Sequence, residues 1–219
     1  MSNYIDIIPV LLEGLDITIT VLIGSAIFGY LIAFLAGFGR LSKNFIIRNF
    51  TAVYIEIFRG TSLVVQLFWF FYVLPGLLGI QLSAYLIGVI VIGMNYGAYM
   101  SEVVRGSILA VSSGQTEAAT ALNMSRFQRM RFVILPQAIR MMLPEFGNYL
   151  IQMLKATSLV SIISLSDITY VGLLYRDANI SEGVAVFTML LVMYFIIALP
   201  LIGLTRWLER WASKGVATE

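Results

Sequence analysis

Five stretches of this chain are apolar enough to cross a lipid bilayer: residues 17–38, about 62–80, 83–104, about 142–165 and 183–204. A bilayer core takes about 20 residues of helix, and in hydrocarbon every backbone polar group must be paired internally. That restricts the chain to helices that pack on one another. The expected class is therefore all-α, a polytopic membrane protein with five transmembrane helices. The second and fourth stretches carry charged or polar interruptions. Only 12% of residues are charged, half of the roughly 25% usual in a soluble domain. No spacing repeats and no low-complexity linker divides the chain, so residues 1–219 read as one transmembrane domain.

The start, "MSNYIDIIPVLLEGLD", lacks a basic region and carries Asp6, Glu13 and Asp16, unlike a cleavable signal peptide. There is no Cys and no His. That removes disulfides, thiol chemistry, and the commonest general base and metal ligand. With no clustered Asp/Glu pair either, a membrane enzyme has little to work with. A net charge of +2 is poor footing for nucleic acid.

Basic residues orient the spans. Arg40, Lys43 and Arg48 follow the first. Arg105, Arg126, Arg129, Arg131 and Arg140 surround the third connection, and Arg206, Arg210 and Lys214 follow the last. These are eleven of the fourteen Lys and Arg. Arg176 stands alone on the opposite side, beside Asp167, Asp177 and Glu182. The expected N-terminus is outside and the C-terminus cytoplasmic. Trp69, Tyr72 and Tyr85 fit an outer aromatic belt, and Trp207 and Trp211 an inner one.

For most of these residues topology is explanation enough. The cytoplasmic loop at about 106–140 has structure of its own. Residues 115–122, "QTEAATAL", favour a helix, with Ser112 or Ser113 as N-cap and Glu117 suited to the helix dipole. Asn123 then stands where a left-handed residue ends a helix. Ser125 caps a second helix over 126–134, which Pro136 limits. Small side chains at Ala118, Ala119 and Ala121 let another surface approach closely.

"EAA", the turn residue Asn123 and "ILP" at 134–136 resemble the EAA loop of binding-protein-dependent ABC importer permeases. "EIFRGTSLVVQLFWF" (56–70), "YGAYMSEVVRGSI" (96–108) and "SSGQTEAATALNMSRFQRMRFVILPQAIRMMLPEFGNYLIQMLKATSLVSIIS" (112–164) narrow the resemblance to the polar amino acid permeases, over about residues 15–210. The chain departs from the pattern in having Asn123 for Gly, Ser112 for Pro, and Ala156 for the Asp of "LKDTSL". The resemblance implies an importer permease moving a polar amino acid or a similar small zwitterion (ectoine- or opine-like) by alternating access. It implies two copies of a separate cytoplasmic ATPase, which would hold ATP and Mg²⁺; this chain has no G-x4-G-K-[ST] and binds no cofactor. It also implies a second permease subunit, identical or related, and an extracytoplasmic solute-binding protein. The coupling residues would be Gly114, Glu117, Ala118, Ala119, Leu122, Asn123 and Pro136. The setting would be the bacterial inner membrane.

Polar groups within spans face cavities or partners. Asn148, Gln152 and Lys155 share one helix face, at i, i+4 and i+7, followed by Thr157 and Ser158. Lys155 lies about 22 Å beyond Arg140 at 1.5 Å per residue. Gln66 and Asn95 sit in the second and third spans. All seven are substrate-pathway candidates, although interhelical hydrogen bonding is the preferred reading for Gln66 and Asn95. For Lys155 the alternatives are a substrate carboxylate and a structural partner in the second subunit. Gly93-x3-Gly97 reads as a packing motif. Glu56, Arg59, Glu102 and Arg105, expected at similar depth, are candidates for an ion-pair cluster or gate. The rival reading, an ion-coupled secondary transporter or channel, would use Lys155 and Glu102 but leaves the two-helix loop unexplained.

Overall fold

The computed structural model describes residues 4–213, so Lys214 lies outside the described residues. The longest helices are α2 (Leu15–Arg40), α6 (Ala84–Ala110) and α11 (Gly183–Ser213). Three described helical segments are long and apolar enough to cross a membrane, namely Ile7–Arg40, Ala84–Ala110 and Ile180–Ala212, and five segments qualify if each of two bent helix pairs counts as one span.

The bent pairs refine two of the expected spans. The stretch expected at about 62–80 is helical as α4 (Leu63–Phe68), a π turn (Trp69–Val73) and α5 (Leu74–Leu78), and it passes as a span only when joined to the preceding α3 (Phe45–Gly60), from which it is bent by 107°. The fourth, α9 (Leu135–Thr157), continues as a 3-10 turn (Ser158–Ile163) and meets α10 (Ile168–Ala178) at 50°. A hydropathy reading merges or omits such pieces because it reports apolarity and not direction.

Small residues bring α2 and α6 together. Ser25, Gly29, Ala33 and Gly37 recur every fourth position on α2 and all are buried. A Cβ at Gly97 would lie 2.9 Å from Ile32 and 3.1 Å from the carbonyl of Gly29, and one at Gly93 would lie 2.7 Å from Phe28. The packing role read for Gly93 and Gly97 therefore holds, and its partner stripe is on α2. Close backbone approach of this kind is how membrane helices gain van der Waals contact when lipid is as apolar as they are. α9 then packs on α6 and on α11, where Gly147 meets Thr205.

The N-terminal helix α1 (Tyr4–Leu12) buries Ile7 and Leu11 against Ile168, Val186 and Leu190. Nearby, the Asp167 carboxylate caps α10 by accepting from the Thr169 and Tyr170 amides and ties it to α11 by accepting from the Tyr194 hydroxyl at 3.1 Å. The neighbouring Ile168 amide donates to the Thr18 hydroxyl at 3.1 Å.

Candidate functional site

Beyond α6 the chain leaves the bundle and folds into a small corner. α7 (Ser113–Ala121) has Ser112 at its N-cap, without a capping bond from its hydroxyl. Asn123 takes φ 56°, its amide donates to the Thr120 carbonyl at 2.9 Å, and the Met124 amide donates to the Ala119 carbonyl at 3.1 Å. These two bonds form a Schellman closure, which satisfies carbonyls that a helix end leaves orphaned. α8 (Arg126–Arg129) starts at once, with Ser125 and Gln128 exchanging capping-box bonds.

Gly114, Glu117, Ala118, Leu122 and Asn123 are exposed on this corner, Leu122 to 75%. Ala119 is not: at 2% exposure it packs α7 inward, and the close-approach surface belongs to Ala118 and Ala121. Pro136 does not stop the second helix. A π turn at Met130–Ile134 connects α8 to α9, and Pro136 falls in the first turn of α9. Proline lacks an N–H and its ring crowds the carbonyl four residues back. A widened turn relieves both conflicts. Pro75 follows the π turn Trp69–Val73 at the same spacing.

Within the bundle, Gln66 and Asn95 are both buried and serve the bend. The Gln66 amide donates to the Phe58 carbonyl at 3.0 Å and to the Thr61 hydroxyl at 2.7 Å. Asn95 donates to the same Phe58 carbonyl at 2.9 Å and to the Gln66 side-chain oxygen at 3.0 Å. Two side-chain amides thus satisfy the open C-terminal end of α3 where the chain turns by 107°.

A groove runs along this face through three adjoining depressions. The first, about 440 Å³, is lined by Glu56, Arg59 and Tyr99. The second, about 410 Å³, shares Tyr99 and adds Ser62, Asn95, Tyr96, Tyr149 and Gln152. The third, about 460 Å³, continues from Ser62, Tyr96 and Gln152 to Lys155 and Leu159. Gln152 and Lys155 are exposed to it, and Asn148 is exposed one turn below. Thr157 does not join them: it is fully buried, with its hydroxyl on the Leu154 carbonyl. The half-buried Ser158 donates to the Lys155 carbonyl.

The expected four-residue ion-pair cluster is two separate features. Glu102 pairs with Arg105 at 2.8 Å and with Arg40 at 3.7 Å. Arg59 lies over the Tyr99 ring at 5.2 Å, and the Tyr99 hydroxyl donates to the Arg59 carbonyl. No ion pair among the described residues includes Glu56, Arg59 or Lys155. The α3 helix turns Arg59 toward the groove, whereas Glu102 faces α2. The tyrosines were missed because aromatic residues in an apolar span read as packing. Their spacing at 96 and 99, with Tyr149 opposite, was the available signal.

Residues 25–214 match the family described as "binding-protein-dependent transport system inner membrane component". The chain belongs to this family. This inner-membrane transport component is 46% identical, over 92% of its length and 87% of the relative's, to a probable amino-acid ABC transporter permease of Sinorhizobium fredii. It is 36% identical, over 93% of both chains, to the glutamine transport system permease of Escherichia coli. A crystal structure of an amino acid ABC transporter with histidines superposes with a TM-score of 0.87 at 30% identity, covering 96% of this chain and 99% of that one. An inward-facing methionine ABC transporter shares the fold, with a TM-score of 0.72 at 18% identity. The permease is thus a multi-pass inner-membrane protein, and the family leaves the ion-coupled alternative without support.

Proposed function

We propose that this permease forms, with a second permease subunit, the pathway of an ATP-driven importer for a polar amino acid. The relatives named for amino acid and glutamine transport support that class. The N-terminus faces outward, where a solute-binding protein delivers substrate. The α7–α8 corner is cytoplasmic and seats in a surface groove on one of two ATPase subunits, which carry ATP and Mg²⁺. Closure of the ATPases moves the two corners and drives alternating access, while substrate follows the face bearing Gln152 and Lys155.

The observation that carries this reading is the corner itself. It projects Glu117, Ala118 and a 75%-exposed Leu122 on a fold closed by its own hydrogen bonds. A rigid corner with small side chains at Ala118 and Ala121, an exposed Leu122 and a charge at Glu117 offers a partner a preformed surface that costs little ordering entropy to bind. Glu117→Lys is expected to leave the chain inserted while abolishing co-purification with the ATPase and uptake of labelled amino acid in proteoliposomes. Normal ATPase binding and uptake by that variant would sink the docking assignment. Mass spectrometry of the ligand held by the purified receptor identifies the substrate.

A further inference from the structure

We propose that the cleft between α2, α9 and α11 binds an anionic phospholipid. The cleft, about 490 Å³, is lined by Tyr30, Phe34, Leu143, Leu150, Leu204 and Leu208 among other apolar groups, and is separate from the groove described above. Its walls are braced by contacts of their own. Tyr30 stacks on Phe146 at 5.3 Å and donates to the Phe146 carbonyl, and Phe34 meets the same ring edge-on.

One end of the cleft changes character. α9 and α11 run antiparallel, with Gly147 against Thr205. One turn beyond the lining residues Leu143 and Leu208, Arg140 lies over the Trp211 ring at 5.6 Å. Arg206 and Arg210 belong to the same last turns of α11, with Glu209 as the acidic residue among them. A neighbouring depression beyond Phe38 holds Arg131. An apolar slot between membrane helices, closed by guanidinium and indole at the interface, matches the two ends of a phospholipid, and basic pockets of this kind recognise anionic headgroups. In the proposed orientation the leaflet is the cytoplasmic one.

The surroundings favour lipid over a second protein chain. The flanking face of α2 presents Ile23, Ile27, Leu31 and Leu35 at 53–68% exposure. Large aliphatic groups in a row suit acyl chains, whereas membrane helix interfaces use small residues, as α2 does on its opposite side. The acyl chain lies along Leu150 to Leu143, and the phosphate meets Arg140.

Native mass spectrometry of the purified full-length chain, titrated with dioleoyl phosphatidylglycerol or dioleoyl phosphatidylcholine, tests this. The parent chain is expected to retain the anionic lipid preferentially. Arg140→Gln should weaken phosphatidylglycerol binding about fivefold, the effect of about 1 kcal/mol per basic residue at a membrane surface, and leave phosphatidylcholine unchanged. Leu143→Trp, or Leu208→Trp should the first not fold, fills the slot and should weaken both lipids. Equal binding of the two lipids by the parent chain, or unaltered phosphatidylglycerol binding by Arg140→Gln, overturns the proposal. Disulfide-linked dimers of Leu208→Cys formed in native membranes would overturn it too, by showing a second copy over the cleft.

Discussion

Lys155 stands exposed in the groove with no carboxylate paired to it among the described residues. An ammonium so placed in a membrane-spanning helix needs an anion, and every amino acid brings one. A charge-assisted hydrogen bond is worth about 1.5–3 kcal/mol. Lys155→Met should therefore cut receptor-stimulated uptake by roughly 10- to 100-fold, with assembly and basal ATPase activity near the parent values. Failure of the subunits to assemble would make Lys155 structural, and unchanged uptake would remove it from the pathway. At Asn123 the test is conformational. Asn123→Gly keeps the left-handed corner and should transport normally. Asn123→Val forces a β-branched residue to φ 56° at a cost of roughly 1–3 kcal/mol and should lose coupling to the ATPase. Equal transport by both would show that the corner is dispensable. At this scale the sequence was readable wherever chemistry is local: Asn123, Ser125 and the Lys155 face came from caps and helical period. Thr157 did not: two residues beyond Lys155 on α9, it is turned about 200° from that face, and its polarity rather than its helical position had made it a candidate.

At the scale of elements, the stripe Ser25–Gly29–Ala33–Gly37 decides how closely α2 and α6 approach. Gly97→Leu would drive a side chain into Ile32 and the Gly29 carbonyl, an overpacking cost of about 1–3 kcal/mol. Thermal unfolding of the purified chain should show a lower midpoint. Gly106→Ala is the control: a Cβ there meets nothing within 4 Å, so the gain in helix propensity, about 0.5–1 kcal/mol, should hold or raise the midpoint. A midpoint that falls equally for both would mean the stripe is not a tight interface. The long apolar helices were legible from hydropathy because length and composition suffice for them. The bend at Gly60–Ser62 was not. It depends on Gln66 and Asn95 reaching back to the Phe58 carbonyl across 8 and 37 residues, a tertiary arrangement that no local pattern announces. Pro136 misled for a related reason, since its usual effect of ending a helix is absorbed by the π turn before it.

The direction in which the whole molecule crosses the membrane is proposed from its basic residues. With no native Cys, single-cysteine variants report it cleanly. Ser113→Cys should resist an impermeant thiol reagent added to intact cells, and Asp177→Cys should react. Labelling of Ser113→Cys from outside would reverse the topology. From Arg126 to Ile163 the helical backbone is one continuous stretch. One end adjoins the α7–α8 corner, and Lys155 lies near the other. At about 1.5 Å per residue the 29 steps from Arg126 to Lys155 span roughly 44 Å. No loop along that distance can absorb a displacement as slack. In the proposed coupling the connection would act as a push-rod: work done on one end would reach the other as travel, and the timing of the two would be a matter of stiffness.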